Sequence, residues 1–173
     1  MKLIFTYIVI LGFSIISTKK PMPNKVVDIK SFVKGIVDLP SDSNNKRIYL
    51  IELNIKNISD SVIVFLTQSC MTIDNLVFDS KEIIPLANNC LSISIAPIIL
   101  KPNQEFSFVF MITSKKHFPE ILKVGWIFLK PENIGDIDNY YKVLANSAKR
   151  NENIIWSNPI GLFPRGANPF EIR

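Results

Sequence analysis

Between residues 47 and 58 the chain alternates. Tyr49, Ile51, Leu53 and Ile55 fall on one side of an extended backbone, and Glu52, Asn54 and Lys56 fall on the other. Winding a period of two into a helix would scatter these apolar side chains around it, so the stretch is a β-strand with one buried side. The same period recurs at Phe106, Phe108 and Phe110, interleaved with Ser107 and Val109, and at Leu91, Ile93 and Ile95, interleaved with Ser92 and Ser94. Residues 122–129 place Val124, Trp126 and Phe128 on one face and Gly125, Ile127 and Leu129 on the other, the composition of a strand covered on both sides.

Residues 26–37 supply a first strand or pair of strands, broken near Lys34-Gly35, before a polar loop at 40–46. Asn57-Ile58-Ser59-Asp60 is a tight connection. It is expected to return residues 62–67 as the second member of a hairpin, more central than the first. Shorter apolar runs follow at 76–78 and 81–84, then a turn at Lys101-Pro102-Asn103-Gln104 and a last strand over 154–160 containing Trp156. The region is crowded with Ile, Val and Phe and poor in Ala, which suits pleated backbone better than helix. One segment departs from the pattern. Between 131 and 153, Ile137, Tyr141, Leu144 and Ala148 recur at helical spacing, with Asp136 or Asp138 to cap the start and Lys149-Arg150 at the negative end. A short helix packed on the edge of the strands is expected there.

At 173 residues the chain has room for one domain. About seven short strands separated by Asn, Ser, Asp and Pro turns predict an all-β, antiparallel β-sandwich with a helical excursion before its last strand. Leu50-Ile51-Glu52-Leu53-Asn54-Ile55-Lys56-Asn57, Leu100-Lys101-Pro102-Asn103-Gln104-Glu105-Phe106 and Trp126 resemble the immunoglobulin-like domains of exported bacterial proteins. In those domains an L-x-I-x-N strand and an L-x-P-x-x-x-F turn and strand recur. The resemblance implies an immunoglobulin-like sandwich over residues 26–161 and carries no functional residue. It departs from antibody-type domains, because Cys70 and Cys90 do not bracket Trp126.

The hydrophobic fraction of 47% and mean hydropathy of +0.23 are partly owed to the amino terminus. Lys2 precedes an uncharged run over 3–17, and Thr18-Lys19-Lys20-Pro21 follows. The run is shorter than the roughly 20 residues that span a bilayer, so residues 1–17 are expected to be a signal peptide cut after Ser17, with a retained anchor as the alternative. Residues 18–25 form a polar leader. A lipoprotein would need a cysteine at the cut, and the first is Cys70. Cleavage removes one Lys and no acid, so the formal charge falls from +5 to +4. No run of basic residues marks a nucleic-acid footprint. The expected location is secreted, periplasmic or in the cell envelope, with membrane contact only through an uncleaved amino-terminal segment.

In that oxidising setting Cys70 and Cys90 are expected to form a disulfide, worth about 3 kcal/mol in the chain-entropy model. No cofactor is expected. A metal site is not expected either, since two cysteines and the single His117 cannot supply a structural zinc set. Imidazole-based triads would all pass through His117, which stands in the turn sequence Lys115-Lys116-His117-Phe118-Pro119. Glu132, Asp136 and Asp138 lie close together but lack the Gly and Glu of a calcium loop, and no Gly-rich phosphate loop occurs.

The tail is apolar and proline-rich. It is either a strap over the domain, from residue 162 to residue 173, or a docking surface in which Leu162, Phe163 and Phe170 meet a partner at a sheet edge or groove. The functional expectation is an exported, non-enzymatic binding module whose partner is an unidentified protein or glycan. Two alternatives stand beside it: a small proteinase inhibitor presenting residues 41–47, and a hydrolase working through Glu132 and Asp136.

Overall fold

The computed structural model describes residues 26–38, 47–68, 72–86 and 94–162. Four strands, β1 (Val27–Asp38), β2 (Arg47–Asn57), β5 (Ile83–Leu86) and β7 (Glu105–Ser114), form one antiparallel sheet in the order β1-β2-β7-β5. The alternation of β2 sets its inward side: Tyr49, Ile51, Leu53 and Ile55 are all 0% exposed. Residues 26–37, read as a strand or a pair, are one strand. The break near Gly35 is a register shift between Val33 and Gly35 that bends β1 without ending it.

The second layer is built from β3 (Ile63–Gln68), β4 (Leu76–Phe78), β6 (Ile95–Leu100), β8 (Ile121–Leu122), β9 (Val124–Ile127), β10 (Ile154–Trp156) and β11 (Ile160–Gly161). β9 lies between β4 and β10, β8 pairs with β11, and β3 pairs with β6. Leu66 joins β3 to this layer by donating its N–H to Leu129 at 2.8 Å. Eleven strands among the described residues replace the seven expected, because long strands are interrupted. At Lys123, between β8 and β9, the Asp79 carboxylate accepts the backbone N–H at 3.0 Å in place of a strand partner. Between β10 and β11, Asn158 turns aside to β1.

The layers share one core, an arrangement compatible with a β-sandwich. Val27, Ile29, Leu53, Phe110 and Ile112 of the first sheet pack with Phe65, Leu76, Val124 and Trp126 of the second. Trp126 is its centre, meeting Phe108 and Phe65 edge-on at 5.4 and 6.0 Å. Edge-to-face pairs of this kind add about 0.5–1.5 kcal/mol each beyond burial.

β2 and β3, expected as a hairpin, lie in different sheets. Asn57 explains the departure: it is fully buried, and its amide donates to the Ser61 and Leu100 carbonyls at 2.7 and 2.9 Å, while its oxygen accepts from the Ser59 N–H at 3.0 Å. These bonds turn the chain out of one sheet and into the other.

The helix α1 (Ile137–Arg150) begins at Asp136, whose carboxylate accepts from the Asn139 N–H at 2.8 Å, and ends at Asn151 in the left-handed region. Its buried residues are Tyr140, Leu144 and Ser147, in place of the expected stripe through Tyr141 and Ala148. Its position also differs from the edge packing expected. Tyr140 and Leu144 cluster with Leu66, Ile127 and Leu129, the residues that β3 and the β9 segment turn away from the main core. The helix therefore covers the outer face of the second sheet. No helix of the described residues is long and apolar enough to cross a membrane.

Candidate functional site

Beneath α1 lies a group of polar side chains drawn from three places in the chain. The 3₁₀ turn Thr72–Asn75 delivers Asn75 into the interior, where its amide donates to the Leu66 and Ile127 carbonyls at 3.2 and 2.9 Å and its oxygen accepts from the Tyr140 hydroxyl at 2.6 Å. One asparagine thus ties β3, β9 and the helix together. Burial, then the negative charge of Asp74, holds the Tyr140 phenol above its ordinary range, so it serves as a proton donor to Asn75 at every physiological pH.

One residue along the helix, Tyr141 stands at the surface, 37% exposed, with its ring edge-on to that of Tyr140. Its hydroxyl accepts from the Gln68 amide and faces Asp74 at 3.4 Å. Partial burial pushes the Asp74 carboxyl up, and the Tyr141 hydroxyl opposes the shift. Gln68 is fully buried, and its carbonyl oxygen and the Thr67 hydroxyl have no partner among the described residues. The result is a polar cluster beside an exposed aromatic ring, with a carboxylate and an amide, groups that can hydrogen-bond hydroxyl-rich or amide-bearing ligands.

On three sheet edges, those of β1, β5 and β6, one position is blocked to pairing. Leu66 sends its N–H to Leu129, away from β6, so its register partner Pro97 turns its ring nitrogen to the outer side, where the missing donor denies a ladder to a new strand. Lys115 donates to Glu82 at 2.9 Å, which fixes the phase of the β5–β7 ladder and places the nitrogen of Pro85 on the free side of β5. On β1 a side chain does the same work. The Asn158 carboxamide accepts from the Ser31 N–H at 2.9 Å and donates to its carbonyl at 3.2 Å, occupying the bonds a strand would need. The Ser31 and Ser157 hydroxyls bond at 2.7 Å behind it.

The residues singled out from sequence are placed as follows. Leu162 is 4% exposed and belongs to the main core, with its N–H on the Glu120 carbonyl at 2.8 Å, so it is turned inward. Phe163 and Phe170 lie outside the described residues, as do Cys70, Cys90 and residues 1–25. His117 is exposed in a turn, where its carbonyl accepts from Ser114 at 2.7 Å. Asp136 is engaged as the helix cap, and Glu132 faces Lys130 at 3.9 Å. Of residues 41–47 only Arg47 is described. It is forked onto Asp38 at 2.7 and 2.8 Å, which holds its guanidinium above an already high range. Among the described residues no group of three or more His, Cys, Asp or Glu side chains could hold a metal. Gln68, Asp74, Asn75 and Tyr140 carry no sequence mark beyond being polar beside apolar strands; only contact across the chain distinguishes them.

Comparison with protein-family models, with curated proteins and with solved structures gives no match to this chain.

Proposed function

We propose that this chain is an exported, non-enzymatic binding module of immunoglobulin-like architecture, acting in the cell envelope or outside the cell on a protein or a glycan. The observation that carries the reading is the strand order. Lettered along the chain, β1, β2, β3 with β4, β5, β7, β8 with β9, and β10 with β11 run from A to G, and the sheets then read A-B-E-D and C-F-G, with β6 added beside C. This order supports an immunoglobulin-like sandwich to which β6, lying between D and E along the chain, is an addition; such a frame presents loops and connections to ligands. The polar cluster fits this use, since α1 is the F–G connection and Gln68 and Asp74 belong to the C region. The blocked edge positions of β1, β5 and β6 favour recognition by connections and faces over strand addition.

Two measurements test the reading. Amino-terminal sequencing of the exported protein is expected to begin at Thr18. A glycan array and crosslinking capture from intact envelopes, run with the exported chain and with Tyr141→Ala and Asp74→Asn, are expected to show a ligand whose retention falls at least tenfold in both variants. Equal retention by the variants removes the polar cluster from the reading, and an absence of any retained ligand ends the binding reading.

A further inference from the structure

We infer that Asn57 is an acceptor for N-linked glycan only in the unfolded chain, and that folding closes it, so that a glycan at Asn57 and the folded structure exclude each other. Asn57-Ile58-Ser59 is the one Asn-x-Ser or Asn-x-Thr sequence in the chain, the pattern to which an oligosaccharyltransferase attaches oligosaccharide. Such patterns ordinarily mark surface loops. The neighbours of Asn57 agree with that rule, since Ile58 is 43% exposed and Asp60 stands at the surface as well. Asn57 itself is 0% exposed.

Every polar atom of Asn57 is engaged. Its backbone N–H donates to the Gln104 carbonyl at 3.0 Å, and its own carbonyl accepts from the Asn103 N–H at 2.9 Å. The side-chain oxygen accepts from the Ser59 N–H at 3.0 Å and from the Ser59 hydroxyl at 2.7 Å, so the hydroxyl that completes the acceptor pattern is spent inside the turn. The amide nitrogen donates to the Ser61 and Leu100 carbonyls at 2.7 and 2.9 Å, which uses both of its hydrogens. That nitrogen is the nucleophile of glycan transfer. It attacks C1 of a sugar carried on a lipid-linked pyrophosphate; the C1–O bond breaks, the lipid pyrophosphate leaves with the electron pair, and one amide proton passes to a base on the transferase. The secondary amide that results keeps a single hydrogen and cannot serve both carbonyls. One of them would be stranded, and Leu100 is 2% exposed in the main core, where an unpaired carbonyl is costly. The sugar would also have to stand where Ser61 and Leu100 close over the nitrogen. A folded chain therefore offers the transferase no nucleophile, and a chain already carrying the glycan cannot make the turn that leads from β2 into β3. The inference does not depend on the binding function proposed above, and loss of every ligand of the polar cluster would leave it standing.

The test uses the full chain translated into endoplasmic-reticulum microsomes behind an added export signal, followed by detergent, a pulse of thermolysin and mass spectrometry of the Asn57 peptide before and after endoglycosidase H. A second chain carries Trp126→Asp, which places an unpaired carboxylate in the core and prevents folding. The Trp126→Asp chain is expected to carry glycan at Asn57 and to be digested. Every protease-resistant wild-type chain is expected to be bare at Asn57, and any wild-type chain modified before it folds is expected to be digested about tenfold faster than its bare counterpart, because proteolysis follows the population of open chain. A protease-resistant wild-type chain with glycan at Asn57 would overturn the inference. So would an unfolded Trp126→Asp chain that stays unmodified, since Asn57 would then be no acceptor even when open.

Discussion

The two sheets are alike inside and unlike outside. Their inner faces meet in one core around Trp126, but the outer face of the second sheet is sealed by α1, while the outer face of the first leaves Phe32, Val37, Ile84 and Val109 exposed, with no helix of the described residues over it. The seal is specific. Tyr140 and Leu144 supply the apolar contact, and the Tyr140 hydroxyl fixes the helix to the buried Asn75, which is itself bonded to β3 and β9. An amphipathic helix laid on a sheet could slide. A buried hydrogen bond with one geometry removes that freedom, because any other position strands the Asn75 oxygen without a partner. Gly125 belongs to the same design: a Cβ there would sit 2.7 Å from a Val77 methyl and 2.8 Å from an Ile154 methyl, so its absence lets those side chains close beneath the helix.

The contrast can be broken from the sealed side. Leu144→Ala leaves a cavity under the helix and is expected to cost about 2–5 kcal/mol in urea unfolding. Tyr140→Phe keeps the ring and removes only the tie to Asn75, with an expected cost of about 1–3 kcal/mol; a cost near zero would show that packing alone places the helix. Asn158→Ala uncaps the β1 edge and is expected to cost about 1–2 kcal/mol, with increased concentration-dependent association by light scattering.

Val109→Thr on the unsealed side is expected to change stability by no more than about 0.5 kcal/mol, an order below Leu144→Ala. The smallest effect is a slope. Burial raises the Asp74 carboxyl in the folded protein, so the folded state binds more protons than the unfolded state between the two pKa values. Stability is therefore expected to fall as pH rises from the ordinary carboxylate range through the raised value, and Asp74→Asn is expected to remove that part of the slope in denaturant titrations at successive pH values.

What could be read from sequence divides along the same line. The period of β2 and the two-sided composition of residues 122–129 correctly placed Tyr49, Ile51, Leu53 and Ile55 in one core, and correctly marked Ile127 and Leu129 as covered. These are local properties, since side chains on a strand alternate whatever lies against them. The helix start was legible as Asp136 or Asp138, because a capping bond spans three residues, and the structure selects Asp136. The helical stripe was misread, since Tyr140 and Tyr141 both fit a period of 3.6 and only the remote Asn75 chooses between them. The β2–β3 connection was misread for a related reason: a short turn between two strands fits a hairpin, and the Asn57 bond to Leu100, from a distant strand, sends the chain elsewhere.

By itself, then, the sequence determined that this chain forms antiparallel sheets, which residues β2 turns inward, and to within two residues where its one described helix begins. The tertiary structure decided which strands share a sheet, which face the helix seals, which polar side chains meet beneath it, and which edge positions are blocked. The reason is physical. Strand and cap propensities are set by neighbours a few residues away, whereas sheet partners and buried hydrogen bonds join residues such as Ser31 and Asn158, 127 positions apart, and exist only once the chain has packed.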